Sequence, residues 1–397
     1  MRETWRWFGP SDPVTLAHVR QAGATGVVTA LHHLNDGRAW PLDEVMKRKA
    51  EVEAGGLAWC VAESIIVHED VKTRGPRRQA LVDAWRSSLR AVASAGVTTV
   101  CYNFMAITDW TRTDLDHVMP HGGTALRFDI VDFCAYDVFV LKRRDAEADH
   151  PAERIAEAGR RLAAMPESAV ARLERNLIAW VPAREFVYDR DSFRVMLDRY
   201  RDIGEAGFRE NLVAFLRDVV PAAEEAGVRL AIHPDDPPFP IFGLPRVVRN
   251  AADVEAILGA VDSPANGLTL CTGSFGAGRD NDLVAMAHAF GPRIHFAHLR
   301  NVAHEADGSF HESDHLDGDV DMIGVVHALR AEERRREAAG RADPVIPMRP
   351  DHGHQILDDI GKPVNPGYSG IGRLKGLAEL RGVVWAVDRF AFADGRG

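Results

Sequence analysis

The chain has 397 residues, 46% of them hydrophobic and 27% charged, which excludes a disordered protein and allows a large buried core. Its 48 Lys and Arg against 58 Asp and Glu leave a formal charge of −10, which repels a phosphate backbone and argues against nucleic acid as a partner. No apolar run approaches the roughly 20 residues of a membrane span, the opening residues carry charge where a signal peptide is apolar, and the four cysteines lack CxxC pairing, so a cytoplasmic, reducing location without membrane contact is expected.

In chain order, short apolar or β-branched runs alternate with helical patterns, the signature of parallel βα units. They span residues 25–32, 57–65, 98–105, 229–234, 268–272, 293–300, 345–351 and 383–388. Eight such strands close a barrel, so the predicted fold is α/β, a (β/α)8 TIM barrel, with residues 1–397 as a single domain. Ala-Gly pairs at 22–23, 54–55, 95–96 and 226–227 precede four of the runs, where glycine lets a helix end in a left-handed turn. The wide gap between the third and fourth runs predicts an insertion between strands 3 and 4, over about residues 106–205. Its segment 151–180 is rich in Ala, Glu, Arg and Leu at helical spacing, which reads as a helical lid or an oligomer contact. The charged run 331–337 (AEERRRE) reads as a solvated helix face.

Barrel chemistry gathers at the C-terminal ends of the strands. Four consecutive runs end there in His233, Cys271, His298 and Asp351, a nitrogen, sulfur, nitrogen and oxygen set. Period-two alternation puts Phe296, His298 and Arg300 on one face and His295 on the other. Singly, each candidate ligand has an ordinary explanation: a small buried thiol, a core imidazole, a helix cap. At one level on four adjacent strands they would be unsatisfied without an ion, and the mixed set suits Zn, Fe(II) or Mn(II). Near them, Arg300 offers a planar fork for a substrate carboxylate. His352 either moves a proton or orients Asp351, while Tyr368 either exchanges a proton or packs on the rim. His32, followed by His33, ends the first run, and Asn103, preceded by Tyr102, lies near the end of the third, so each is positioned to line a polyol pocket. The loop at Asp317 lacks the glycine and glutamate of a calcium loop, and the turn at Gly273 lacks dinucleotide-binding spacing.

Several long blocks carry more than this pattern: TWRWFGPSDPVTLAHVRQAGATGVVTALHH, CYNFM followed by DWTRTDL, HPDDPPFPIFGLPR, FAHLRN, and MRPDHGHQILDD followed by NPGYSGIGRLKGLAELRG. Together they resemble the mannonate dehydratase family over almost the whole chain. The resemblance implies a xylose-isomerase-like barrel and a carbon–oxygen hydro-lyase (EC 4.2.1.8) that uses Mn2+ or Fe2+. It implies dehydration of D-mannonate to 2-keto-3-deoxy-D-gluconate in hexuronate (glucuronate) catabolism. Carried over by position, the family's metal ligands fall on His233, Cys271, His298 and Asp351, and its proton-transfer residues on His352 and Tyr368, with acid and base unassigned. Small departures at Ile66 and at Ala106-Ile107 lie in loops near the mouth, where they bear on which aldonate fits. The alternatives are a metal-dependent sugar isomerase or epimerase on the same barrel, a non-catalytic sugar-acid binding protein, and a metal phosphodiesterase, which the charge disfavours. A homo-oligomer, with the inserted helices as a dimer contact, is expected.

Overall fold

The computed structural model describes residues 1–179 and 188–392. Its strands, in chain order, are β1 (Arg2–Arg6), β2 (Gly26–Thr29), β3 (Ala58–Glu63), β4 (Thr99–Tyr102), β5 (Asp114–Val118) and β6 (Thr124–Phe128). They continue with β7 (Arg229–Ile232), β8 (Asn266–Cys271), β9 (Ile294–His298), β10 (Asn301–His304), β11 (Phe310–Ser313) and β12 (Pro347–Arg349). Eight of them, β1 to β4, β7 to β9 and β12, form a closed parallel barrel, completed where Arg2 and Glu3 of β1 register with Pro347 and Met348 of β12. The expected left-handed glycines occur at Gly23, Gly96 and Gly227, while at the fourth site the turn falls on Gly56, one residue beyond the Ala-Gly pair.

Two expected strand boundaries are corrected. The barrel begins with β1, a charged segment (RETWR) whose exposed Arg2 and buried Thr4 and Trp5 give little apolar signal. Residues 383–388 lie instead in the helix Gly370–Phe390. A strand would turn Trp385 and Val387 to one face, but Trp385 is exposed and Val387 buried, and Leu377, Leu380 and Val387 mark a helical face. The count therefore shifts by one, and the insertion separates the fourth and fifth barrel strands.

That insertion is helical over Ala152–Ala164, Glu167–Glu174 and Arg190–Asp198, after which the helix Gly204–Ala226 leads into β7, while Trp180, at the end of the expected helical stretch, lies outside the described residues. It opens, unexpectedly, with the hairpin β5–β6, which joins β10 and β11 in a separate four-stranded antiparallel sheet. Phe128 of β6 registers with Phe310 of β11 and stacks on it at 5.7 Å. The insertion is thus stitched to the segment that follows β9. Asp129, next to β6, caps the helix Ile130–Cys134 by accepting from the amides of Val131 (2.8 Å) and Asp132 (3.0 Å), and it pairs with Arg127 and Arg161. Asp129→Ala removes a cap and the partner of two cations, so a loss of about 1–3 kcal/mol is expected, read from urea unfolding.

The run 331–337 is also corrected. It lies in the helix Met322–Ala338, where Glu332, Glu333 and Arg336 are buried. Arg336 donates to Glu332 and to the carbonyls of Gly291 and Ile294, 2.7–2.8 Å away, so one side of the run clamps the start of β9. Inside the barrel, Val28, Val61, Cys101, Ala231 and Phe296 form a small apolar plug. Phe296 meets the His298 ring edge-on at 4.5 Å, giving the functional end of the barrel a rigid floor. Among the described residues, no helix is long and apolar enough to cross a membrane.

Candidate metal centre and active site

The barrel strands β7, β8, β9 and β12 are neighbours, and each delivers one expected ligand at its C-terminal end. His233 follows β7, Cys271 and His298 end β8 and β9 in register with each other, and Asp351 stands two residues beyond β12. His233 Nε2 is 3.2 Å from His298 Nδ1, and Asp351 Oδ2 is 3.8 Å from both His298 Nδ1 and Cys271 Sγ. The donor atoms of His233, Cys271 and His298 all lie within 4.8 Å of one another. Ligands at about 2.0–2.3 Å from a tetrahedral ion stand about 3.3–3.8 Å apart, so the cluster has the dimensions of a coordination sphere. His233 Nδ1 donates to the Pro234 carbonyl at 2.7 Å, which leaves the Nε2 lone pair facing the cluster. His298 Nε2 is buried without a hydrogen-bond partner. That nitrogen lies 3.7 Å from Glu63 Oε2, on the other side of the ring from the Nδ1 that faces the cluster, so it is the donor set and the spacing that fit a divalent ion.

Charge in the cluster favours the ligand forms of Cys271, His298 and Asp351, whereas at His233 it favours the imidazolium, which must give up its Nε2 proton before it can ligate. Burial alone would push the Cys271 thiol up, but Arg300 and then His233 outweigh it and lower its pKa. Burial opposes charge on His233, yet the Cys271 sulfur raises it to about 9. His298 is held well below its usual value, by burial first and Arg349 second. Asp351 stays ionised against its burial because Arg349, followed by His352, His298 and Arg300, favours the carboxylate. Asp351 adopts the left-handed conformation, φ 60°, a strained state for a non-glycine residue. It is held there by Arg349 and by Arg300 Nε at 2.8 Å.

Beside the cluster lies a closed ring of four buried charges. Arg112 donates through Nη1 to Asp236 and through Nη2 to Glu312, each at 2.7 Å, and Arg300 bonds the same two carboxylates from the other side. Arg300 also reaches Ser274 Oγ at 2.9 Å. The guanidinium expected to hold a substrate carboxylate is therefore committed at both Nη groups, with Nε paired by charge to Asp351 at 2.8 Å but without a hydrogen bond. Gly273 lets it pass, because a Cβ there would stand 2.4 Å from Arg300 Cγ. Glu312 reaches on to His352, whose Nδ1 is 3.1 Å from Oε1. The His352 ring packs edge-on against Tyr368 at 5.0 Å and Trp110 at 5.1 Å. A bridge between Gly353 and Tyr368, with the Gly353 amide donating to the Gly367 carbonyl, closes the loop that brings the two residues together. Burial, reinforced by the Asp351 charge, pushes the Tyr368 phenol up, so it remains protonated.

A cavity of about 60 Å³ is walled by His233, Asp351, His352 and Tyr368, and it shares Arg6, Ser64, Asn103 and Asp109 with a neighbouring cavity of about 590 Å³. Asn103 donates to Asp109 at 3.0 Å on this shared wall. His32 lines the larger cavity, and both its ring nitrogens are buried without a partner. Burial and then Arg6 keep its pKa well below the usual value. His33 turns towards Glu44, 3.5 Å away, and His295 packs behind the strands with Nε2 2.9 Å from the Pro264 carbonyl. Ile66 and Ile107 are both on the larger cavity's wall. The structure thus brings the four candidate ligands, His352, Tyr368 and Arg300 together, with Asn103 and His32 farther out.

Sequence reasoning missed Arg6, Glu63, Arg112, Asp236, Glu312 and Arg349. Arg349 stands at the end of β12 and bonds Asp351 and Glu63, the latter at 3.0 Å. Strand parity counted back from Asp351 identifies it, and HPDD points to Asp236, three residues past His233. Glu312 and Arg112 carry no comparable signal, since each arrives from outside the barrel.

In comparisons with known proteins, residues 1–394 match the family model described as D-mannonate dehydratase (UxuA). The chain belongs to the D-mannonate dehydratase family. Its members are hydro-lyases by name, so the chain is an enzyme of the carbon–oxygen lyase class. It is 53% identical over 389 residues to the mannonate dehydratase of Saccharophagus degradans and 56% identical over 389 residues to mannonate dehydratase 2 of Agrobacterium fabrum, each match covering 98% of both chains. The structure of mannonate dehydratase from Streptococcus suis serotype 2 is similar with a TM-score of 0.77 at 35% identity, covering 99% of this chain and 95% of that one. A xylose isomerase domain protein from Planctomyces limnophilus shares the fold alone, with a TM-score of 0.51 at 10% identity over 99% of this chain and 98% of its own. For the D-mannonate dehydratase family member described here, the barrel is thus xylose-isomerase-like.

Proposed function

We propose that this chain removes water from D-mannonate to give 2-keto-3-deoxy-D-gluconate, a step of hexuronate (glucuronate) breakdown in the cytoplasm. In this reading His233, Cys271, His298 and Asp351 hold Mn(II) or Fe(II), and the chain acts as a single-domain protein that dimerises through the inserted helices. The observation that carries it is the convergence of four donor atoms directly beside His352 and Tyr368. When bound, the ion supplies Lewis-acid stabilisation of negative charge on substrate oxygens.

The chemistry breaks the C2–H and C3–O bonds. The C2 proton goes to a base, the C3 hydroxyl leaves as water after taking a proton, and the resulting enol becomes the 2-ketone. His352 suits the base: Glu312 engages its Nδ1, leaving Nε2 to accept the proton. Tyr368, kept protonated by burial and the Asp351 charge, suits the acid for the departing hydroxyl. Substrate size supports the use of both cavities. About 60 Å³ beside the ligands is too small for a six-carbon acid, so its polyol tail extends past Asn103 into the larger space. There, neutral His32 offers one donor and one acceptor to hydroxyl groups.

The test is anaerobic turnover of D-mannonate by metal-stripped protein with Mn(II), Fe(II), Zn(II) or nothing restored. Formation of the 2-keto-3-deoxy acid is expected with Mn(II) or Fe(II) alone. No product with any ion, from folded protein that binds metal, overturns the reading.

A further inference from the structure

Arg6 ends β1 at the mouth of the barrel, and its side chain is 11% exposed. Only one of its three nitrogens is used. Nη1 donates to the Glu63 carbonyl and lies 3.1 Å from Glu63 Oε2. Nε is shielded from water and bonded to nothing, and among the described residues Nη2 has no acceptor. The unused edge is the side-on fork of the guanidinium, where Nε–H and Nη2–H grip a carboxylate by two parallel hydrogen bonds.

Arg112, Arg300 and Arg349 each also have an Nε without a hydrogen-bond partner, but both of their Nη groups are taken by carboxylates, whereas Arg6 uses Nη1 alone. Arg300 and Arg112 belong to the four-charge ring. Arg349 gives Nη1 to Asp351 and Nη2 to Glu63. Glu63 is consequently shared between two guanidinium groups, so the charge on Arg6 is only partly cancelled. Arg6 also belongs to the walls of both cavities, and its guanidinium carbon lies 5.0 Å from the Phe8 ring centre, which limits its swing. A carboxylate there spans the boundary between the cavities and has Tyr368 and His32 within range of the same positive charge.

We infer that Arg6, through its Nε–Nη2 edge, holds the carboxylate of the sugar-acid substrate. The identity of that substrate rests on the dehydratase reading. The carbon next to this carboxylate is C2, and as its proton departs, negative charge spreads onto the carboxylate oxygens. Arg6 meets that charge, so it contributes to kcat as well as to KM.

The experiment compares D-mannonate with its uncharged primary amide, by calorimetry on metal-loaded wild type, Arg6→Gln and Arg6→Lys, with metal content and thermal melting as controls. Wild type is expected to bind the acid about 10–100-fold more tightly than the amide. Arg6→Gln brings that ratio close to one, raises KM and lowers kcat at unchanged metal content, and Arg6→Lys recovers part of the preference. A wild type indifferent to acid and amide overturns the inference. So does an Arg6→Gln protein with the wild-type ratio or, if that variant does not fold, an Arg6→Lys protein with it. The two readings fail separately: absence of product from wild type removes the dehydratase reading, whereas a ratio that collapses in the variants sustains the role of Arg6 even then.

Discussion

Tyr368→Phe is expected to keep its fold and its metal and to lose turnover by about 10²–10⁴-fold, the usual worth of a positioned proton donor. Its ring packs between Phe8, at 4.8 Å, and His352, and phenylalanine preserves both contacts while deleting the hydroxyl. Asp351→Ala acts differently. It removes one of the converging donors and leaves Arg349 and Arg300 without the carboxylate they share, so metal and turnover disappear together. Metal content per chain, measured beside the rate, separates the two effects. Equal metal loss in both variants would undo the assignment of Tyr368 as a proton-transfer residue.

Arg112→Met is expected to destabilise the fold by about 3–5 kcal/mol, because it leaves two buried carboxylates one partner short. The ring is dry: Arg112 and Asp236 are completely buried and Glu312 nearly so. Burial alone would raise the Glu312 pKa, but Arg300, His352 and Arg112 overcome it and bring it down to about 2. A pKa below the roughly 4.3 of an unfolded glutamate means stability that is fully present above that value and lost as pH falls towards 2. The gap between wild type and Arg112→Met, from urea unfolding, therefore narrows over that interval. A gap independent of pH would show that Arg112 acts through packing alone.

The sequence made the ligands legible because barrel geometry turns chain position into spatial position. His233, Cys271, His298 and Asp351 each stand at the end of a short apolar run, and parity distinguishes His298 from His295. Where apolar pattern was the only guide, it misled. RETWR hides a strand because three of its five residues are charged, one of them, Arg6, turned into the barrel mouth, and VVWAVD imitates a strand because a half-buried helix also collects valines. The charge ring was illegible for another reason. Arg112 comes from the insertion and Glu312 from β11, 200 residues apart, and no local spacing records a meeting made by the second sheet. Arg6 was missed along with its strand.

The closure of the barrel has a consequence for how the protein is made. The Thr4 hydroxyl bonds the Met348 carbonyl, 344 residues away, at the seam where β1 meets β12. While a ribosome extends the chain, β1 can pair with β2 on one side, but its other edge has no neighbour until nearly the whole polypeptide has emerged. An open strand edge held that long invites pairing with other nascent chains, so shielding of that edge during synthesis protects the chain from aggregation before the barrel closes.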